Sequence, residues 1–134
     1  MSPAPATPAG KVTVVGAGAW GTALAASAAR ADNEVALWGR DAAVIAELAG
    51  RRANSRYLPG ISFEPGFVAT VDLDEALAGA DIVLVATPAQ TVAAVALMLA
   101  GPVRPGTAIV GCAKGIDRAT GKLPGELLAD ALPG

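Results

Sequence analysis

Short continuous runs of apolar residues alternate along the chain with alanine-rich or amphipathic stretches. The apolar runs lie at residues 11–15, 34–38, 82–86 and 107–110, and a briefer one lies at residues 68–70. Runs without polar alternation are typical of strands that are buried on both faces. Because helices are predicted between them, we expect an α/β fold of three layers, with a doubly wound parallel sheet between two helical layers.

The first two helices are predicted from composition and end signals. Residues 20–30 are rich in alanine and favour helix. Asp41 is expected to cap a second helix that runs to about residue 48, with Gly50 ending it. The stretch that follows, residues 53–67, contains two Pro-Gly pairs and is predicted to be a loop.

Two further helices have recognisable start signals. Asp72, with Glu75 three residues later, matches a capping arrangement for a short helix. Thr87 as cap and Pro88 as the first helical residue predict a helix that extends to about residue 99. The final twelve residues, 123–134, are expected to form one more short helix.

Composition and charge exclude several classes of function. With 53% apolar and 16% charged residues, the 134-residue chain has the composition of a folded domain. A net charge of −2 provides no basic surface for nucleic acid. One cysteine and no histidine leave no disulfide framework, no Cys/His metal site and no imidazole base. We therefore expect no bound metal.

The chain shows no targeting or membrane segment by sequence. Residues 1–10 are rich in Pro and Ala, lack the features of a secretory signal, and are interpreted as a flexible leader before a domain at residues 11–134. The most apolar region, residues 82–100, is interrupted by Thr87, Pro88 and Gln90. We expect no membrane span.

Three glycines, Gly16, Gly18 and Gly21, separate the first predicted strand from the first predicted helix. In a dinucleotide-binding turn the first glycine allows the tight turn, the second lets the backbone approach a pyrophosphate, and the third lets the helix pack on the strand. The plainer interpretation is a tight turn without a ligand. The strand before and the helix after favour dinucleotide binding, with the positive end of the helix facing the phosphates. Trp20 is then a candidate to lie along the ribose or nicotinamide.

The end of the second strand carries Trp38, Gly39 and Arg40 where an acidic residue often binds the adenosine ribose. An arginine there pairs with the 2'-phosphate of NADP, which a carboxylate would repel. We therefore predict a preference for NADPH over NADH, or at least tolerance of NADPH. Arg40 as an ordinary solvated residue is the alternative, and Asp41 is interpreted as the helix cap rather than a ribose ligand.

Two further segments follow the ends of later strands and are expected to face the same ligand. They are residues 87–90 and residues 111–115. Lys114 is a candidate to pair with a substrate phosphate or with the cofactor, and its alternative is an ordinary surface lysine. Cys112 is expected to be a small buried apolar residue without a nucleophilic role.

Five stretches, taken in order, resemble the amino-terminal domain of bacterial NAD(P)-dependent glycerol-3-phosphate dehydrogenase. They are GAGAWGTALA (16–25), LWGRD (37–41), NSRYLPG (54–60), ATPAQ (86–90) and AKGID (113–117). The resemblance implies a Rossmann-type fold and cytoplasmic interconversion of dihydroxyacetone phosphate and sn-glycerol 3-phosphate with NADP or NAD. This reaction supplies the backbone of phospholipids.

The resemblance also implies site residues. Gly16, Gly18, Trp20, Gly21 and Arg40 correspond to the family's cofactor site, and Ala19 stands where many members have serine. Pro88 belongs to a strand-end turn in which Ala-Thr-Pro replaces the commoner Val-Pro form. Lys114 corresponds to a lysine that contacts both cofactor and substrate phosphate.

Family members continue into a helical carboxyl-terminal domain that carries the lysine acting as general acid and base. This sequence ends before such a domain, so we interpret it as a truncated product that holds cofactor but lacks turnover and contains no catalytic residue. A homodimer is left open for the full-length protein.

Two other functions are kept as alternatives. One is the cofactor domain of another reductase of the 6-phosphogluconate-dehydrogenase-like group, and the other is a non-catalytic nucleotide-binding remnant. The NSRYLPG and AKGID segments favour the dehydrogenase.

Overall fold

In a computed structural model of the chain, the residues described are 10–31, 33–56, 58–62, 67–103 and 106–112. In chain order the elements are β1 Lys11–Val15, α1 Ala19–Arg30, β2 Glu34–Trp38, α2 Ala42–Arg51, β3 Ala53–Asn54, β4 Leu58–Ser62, β5 Phe67–Thr70, α3 Leu73–Leu77, β6 Ile82–Val85, a 3-10 turn Ala89–Thr91, α4 Val92–Leu99 and β7 Ala108–Gly111. The predicted alternation of strands and helices is confirmed.

Five strands form one sheet in the order β5-β2-β1-β6-β7, and every neighbouring pair is parallel. β1 is central, so Val14 pairs with Leu37 on one side and with Leu84 on the other. The order reverses between β1 and β6, which is the point where doubly wound sheets open a crevice at their carboxyl edge.

Two apolar clusters cover the two faces of this sheet. On one face α1 and α2 pack on side chains such as Val14 and Leu37. On the other face α3 and α4 pack on side chains such as Val15 and Val85. Consecutive residues of one strand thus point into different clusters, as the pleat of a strand requires. This arrangement confirms the predicted three layers.

The small residues of α1 let it lie close to the sheet. Ala25 is fully buried and Ala26 nearly so. Gly21 and Thr22 at the start of the helix are buried as well, and the glycine loop before it is held at the end of β2 by the bond from Gly16 N to Trp38 O.

The prediction that α2 ends at Gly50 was wrong. The helix continues to Arg51, and Arg52 takes the left-handed conformation at φ 54° while its N–H bonds to the carbonyl of Leu48. Gly50 is tolerated inside the helix because a helical glycine costs only about 1 kcal/mol relative to alanine. The helix stops where the chain must turn into β3.

The prediction of an unstructured loop at residues 53–67 was also wrong in part. β3 and β4 form a two-stranded antiparallel ribbon, separate from the main sheet. Pro59 lies in β4; proline is compatible with a strand at a sheet edge, where its missing N–H removes no ladder bond. Residues 57 and 63–66 lie outside the described part.

The two start signals had different outcomes. Asp72 caps α3 as predicted, because its carboxylate accepts the N–H of Glu75 at 3.2 Å. Thr87 does not cap a helix: the chain first makes the 3-10 turn, and α4 begins after Thr91, whose hydroxyl donates to the carbonyl of Pro88. The predicted leader over residues 1–9 and the predicted helix over residues 123–134 lie outside the described residues.

Candidate functional site

A pocket of about 800 Å³ opens at the carboxyl edge of the sheet. Its walls come from the segments that leave β1, β2, β6 and β7, where Gly16, Gly39, Ala86 and Cys112 respectively lie. These segments are fixed by backbone hydrogen bonds that extend the parallel ladder beyond the strands, such as Gly16 N to Trp38 O at 2.8 Å and Cys112 N to Val85 O at 2.8 Å. The pocket therefore lies at the reversal of strand order, where ligands bind in open α/β sheets.

The three glycines differ in backbone conformation and in the space that a side chain would have at each position. Gly16 has φ +118°, and a Cβ there would lie 3.0 Å from the carbonyl carbon of Ala86. A Cβ on Gly21 would lie 1.8 Å from the oxygen of Gly16, so α1 approaches the loop too closely for any side chain. A Cβ on Gly18 would meet nothing within 4 Å in the described part of the chain. The first glycine permits the turn and the third permits the helix contact, whereas no contact among the described residues requires the second.

Gly18 is also the N-cap of α1, with φ −78° and no side-chain cap. The first turn of α1 contains no acidic residue. By contrast, α2 is capped by Asp41 and α3 by Asp72. The N–H groups at the start of α1 thus face the pocket without a side-chain acceptor, and the helix dipole makes this end positive.

The end of β2 contributes Arg40 and Asp41 to the pocket, and Arg56, which follows β3, joins them through Asp41. Arg40 is exposed and makes no ion pair or hydrogen bond with the described part of the chain. Asp41 accepts the N–H groups of Ala43 and Val44 as the cap of α2, and its second oxygen accepts Arg56 at 2.7 Å. The interpretation of Asp41 as a helix cap is therefore confirmed, and the ion pair with Arg56 is an addition.

Trp20 lies across the opposite end of the pocket. Its indole is 56% exposed, and Nε1 donates to the carbonyl of Cys112 at 3.2 Å. Cys112 lines the pocket and is only partly buried, so the expectation of a buried residue was wrong, because the chain leaves the sheet at this point. Partial burial raises the pKa of its thiol, which keeps the sulfur protonated and argues against a nucleophilic role.

The segment after β6 closes the floor of the pocket with Ala86, Thr87 and Pro88. The hydroxyl of Thr87 is buried and has no hydrogen-bond partner in the described part of the chain. A hydroxyl at a helix start normally binds a backbone N–H. Here the 3-10 turn carries the next N–H groups away from it, which explains why the cap signal failed.

Asn54, which the sequence reasoning did not single out, holds the glycine loop from behind. It is fully buried in β3, and its Nδ2 donates to Ala17 O and to Thr22 Oγ1, both at 3.0 Å. Asn54 and Arg56 both belong to the NSRYLPG stretch. The sequence drew attention to these residues only because the stretch resembles a family motif. Its lack of periodicity gave no indication of the contacts that they make.

Most of the predicted cofactor residues come together in this pocket. Gly16, Gly18, Ala19, Trp20, Arg40 and Pro88 line it. Gly21 lies beneath the loop in the helix contact described above. Lys114 lies outside the described residues, so its predicted contacts stay a prediction.

The described residues contain no group of three or more acidic, cysteine or histidine side chains that could hold a metal ion. None of the helices in this part of the chain has the length and apolar character needed to cross a bilayer.

The residues present fit a dinucleotide. Gly18 leaves open space at the positive end of α1, where a pyrophosphate binds in such folds. Arginines stand at the β2 end, where the adenosine half lies in such folds, and an indole stands at the β7 end. The pocket volume of about 800 Å³ falls within the usual range for small-molecule sites.

Comparison with known proteins agrees with this fit. Residues 11–134 match the model of the family described as NAD-dependent glycerol-3-phosphate dehydrogenase N-terminus. The chain is 50% identical over 123 residues to glycerol-3-phosphate dehydrogenase [NAD(P)+] of Azorhizobium caulinodans, with 92% of this chain and 37% of the relative covered. It is 46% identical over 122 residues to the same enzyme of Chelativorans sp., with 91% and 37% covered.

The structural comparison gives the same answer. The crystal structure of glycerol-3-phosphate dehydrogenase from Coxiella burnetii superposes with a TM-score of 0.84 at 30% identity, covering 91% of this chain and 37% of that one. The chain thus spans slightly more than a third of the length of these relatives. Its sequence and its fold together place the chain in the NAD-dependent glycerol-3-phosphate dehydrogenase N-terminus family, as an NAD(P)-binding domain.

Proposed function

We propose that the chain is the cofactor domain of an enzyme that interconverts dihydroxyacetone phosphate and sn-glycerol 3-phosphate for glycerophospholipid synthesis. The proposal rests on the difference in surroundings among the three glycines of the loop. Gly16 and Gly21 are explained by contacts within the protein, whereas Gly18 has open space in front of it at the mouth of the pocket. A glycine that no contact in the described part of the chain requires, at the start of a helix without a side-chain cap, is accounted for by a phosphate that must approach the backbone.

The ends of the pocket assign a direction to the dinucleotide. In this fold the adenosine half lies over the end of β2 and the nicotinamide half over the strands beyond the reversal point. Arg40 and Arg56 therefore face the adenosine ribose, and Trp20, bonded to the end of β7, lies beside the nicotinamide half. A bound nicotinamide supplies the hydride, and the residues of this chain hold and orient it.

The charges at the β2 end favour NADPH over NADH. Both oxygens of Asp41 are engaged, one by the N-terminus of α2 and one by Arg56. A carboxylate so occupied is a poor acceptor for ribose hydroxyls. Arg40 has no partner in the described part and is available to a 2'-phosphate, for which a guanidinium is well suited.

The substrate contacts, the cellular compartment and the oligomeric state are proposed from the resemblance to the family. Lys114 is proposed to contact both the cofactor and the phosphate of the substrate; it follows by two positions Cys112, which lines the pocket. Residues 11–134 are proposed to form the dinucleotide-binding domain. The proposed compartment is the cytoplasm, and the proposed state of the full-length protein is a homodimer.

A fluorescence titration tests cofactor binding directly. The only tryptophans of the chain, Trp20 and Trp38, both line the pocket. NADPH should quench their emission and emit by energy transfer, with a lower Kd than NADH. A Trp38→Phe variant keeps Trp20 as the sole reporter and shows whether the signal comes from the mouth of the pocket. A folded chain that shows no change at millimolar NADPH and NADH would contradict the proposal.

The reaction is tested on the protein encoded by the complete reading frame. Turnover of dihydroxyacetone phosphate with NADPH, and none of ketopantoate, would support the dehydrogenase over a related reductase. The reverse pattern would support the reductase, and binding without turnover of either would support the non-catalytic module.

A further inference from the structure

We propose that Asn54 is a positioning residue that aims the N–H of Gly18 at the cofactor pyrophosphate. The inference rests on the proposed function, and it assigns to the β3–β4 ribbon a role in cofactor affinity. Asn54 itself does not line the pocket. Asn54 therefore acts on the cofactor indirectly, and the contact that carries the inference is its bond to Ala17 in the glycine loop.

The geometry of the peptide between Ala17 and Gly18 supplies the mechanism. The carbonyl of Ala17 accepts Nδ2 of Asn54 at 3.0 Å, on the protein side of the loop. In a trans peptide the C=O and the following N–H point in opposite directions. Since the carbonyl is directed toward buried Asn54, the N–H of Gly18 is directed away from it, toward the pocket that Ala17 and Gly18 line.

Asn54 can fix the orientation of this peptide because its own side chain is fixed by burial and by a further hydrogen bond. It is fully buried, and the same Nδ2 donates to Thr22 in α1. The next two residues attach the ribbon to α2: Ser55 bonds through N–H and hydroxyl to Glu47, and Arg56 bonds to Asp41. Three consecutive side chains thus fix the ribbon to the glycine loop, to α2 and to the β2 end of the pocket.

A fixed peptide matters for an anion because the direction of the donor sets the strength of the bond. Hydrogen bonds weaken steeply as the donor angle falls below about 120°. Charge-assisted bonds to phosphate are about twice as strong as neutral ones. Free rotation of the Ala17–Gly18 peptide would therefore lose one strong bond and require the loop to become ordered on binding.

The test compares Asn54→Leu, which keeps the volume without the donor, with Thr22→Val as matched control. Thr22→Val removes the second partner of Nδ2 and leaves the bond to Ala17. We expect Asn54→Leu to raise the Kd for NADPH about tenfold. Thr22→Val should change that Kd by less than about twofold. Urea unfolding of each variant shows that the protein is folded under the conditions of the titration.

An NMR signal distinguishes a specific effect on the Gly18 N–H from a general loss of stability of the fold. The backbone amide resonance of Gly18 should move downfield when NADPH saturates the wild-type chain, and should move less in Asn54→Leu at saturation. A general loss of stability would lower the unfolding midpoint without selecting this amide.

The inference is overturned if folded Asn54→Leu binds NADPH with the wild-type Kd, if Thr22→Val loses as much affinity as Asn54→Leu, or if the Gly18 amide does not respond in the wild-type chain. Should Asn54→Leu fail to fold, Asn54→Ser, whose hydroxyl is too short to reach the Ala17 carbonyl, replaces it under the same criteria. Failure of the folded wild-type chain to bind NADPH at all would instead contradict the proposed function.

Discussion

Replacing Gly18 with alanine should weaken cofactor binding while leaving the fold intact. The backbone at Gly18, φ −78° and ψ −170°, is accessible to alanine, and the new methyl group would meet no atom of the described residues within 4 Å. Loss of unfolded-state entropy stabilises such a variant, whereas alanine is a poorer N-cap than glycine. These opposing effects should leave the free energy of unfolding within about 1 kcal/mol of wild type.

The loss of affinity follows from the size of the methyl group. A backbone N–H holds a phosphate oxygen at about 2.9 Å, and displacing that oxygen beyond about 3.5 Å breaks the hydrogen bond. A bond to a charged group contributes about 1.5–3 kcal/mol. The Kd for NADPH should therefore rise about 10- to 100-fold in Gly18→Ala.

Gly21→Ala is the matched control, because it carries the same chemical change three residues away. Its methyl carbon would lie 1.8 Å from the oxygen of Gly16 and 2.9 Å from the carbonyl carbon, so the backbone must move. We expect a loss of about 3 kcal/mol or more in the free energy of unfolding. Gly18→Ala should thus weaken cofactor binding with little change in stability, whereas Gly21→Ala should mainly lower the stability of the fold.

Tryptophan fluorescence titrated with NADPH gives the affinities, and urea unfolding followed by circular dichroism gives the stabilities. Folded Gly18→Ala with the wild-type Kd would refute the reasoning, since it would show that no phosphate approaches this position. Marked destabilisation of Gly18→Ala would equally contradict the open space in front of it.

Three further outcomes are expected. Arg40→Ala should raise the Kd for NADPH at least about tenfold more than that for NADH, measured by the same titration, and equal losses would mean that Arg40 does not contact the 2'-phosphate. Thr87→Val should raise the free energy of unfolding by about 1 kcal/mol in urea, because it removes a buried hydroxyl without a partner in the described part, and a destabilised variant would show that the hydroxyl is bonded. Hydrogen bonds from Ser55, first through its side chain and then through its backbone, lower the pKa of Glu47 from its ordinary value of 4.5. The ionised carboxylate therefore stabilises the fold above pH 4.5. This stabilisation is lost as the pH falls through the lowered pKa. Glu47→Gln should accordingly be less stable than wild type at pH 7 and equal to it in strong acid by thermal unfolding, whereas a difference independent of pH would contradict this.

Local patterns predicted the elements of the sheet closely. β1 and β2 were predicted with their exact bounds, because each is a short, mainly apolar run between turn residues, two glycines for β1 and Asn33 and Gly39 for β2. The roles of Gly16 and Gly21 were also accessible, since both arise from contacts between adjoining elements. Gly18 was predicted from spacing, and its open surroundings are consistent with that prediction.

The ribbon at residues 53–62 was not predictable in the same way. The bond from Asn54 to Ala17 joins residues separated by 37 positions, and nothing in the periodicity of either segment indicates it. Thr87 shows the converse failure, because a complete helix-start signal was present and the strand end placed its hydroxyl where no backbone N–H of the described chain could reach it. A long-range contact decided the first position and the 3-10 turn that follows Thr87 decided the second, and only the resemblance to a family drew attention to the first.

Asp41 shows why the type of a residue does not determine its role at this site. A carboxylate just beyond the second strand of such a fold is suited to bind ribose hydroxyls. Here its oxygens bind the N–H groups of α2 and the guanidinium of Arg56. Binding a ribose would require it to give up either the cap of α2 or the bond to Arg56. The carboxylate therefore caps α2 and holds Arg56 at the pocket wall, and both of its oxygens are engaged.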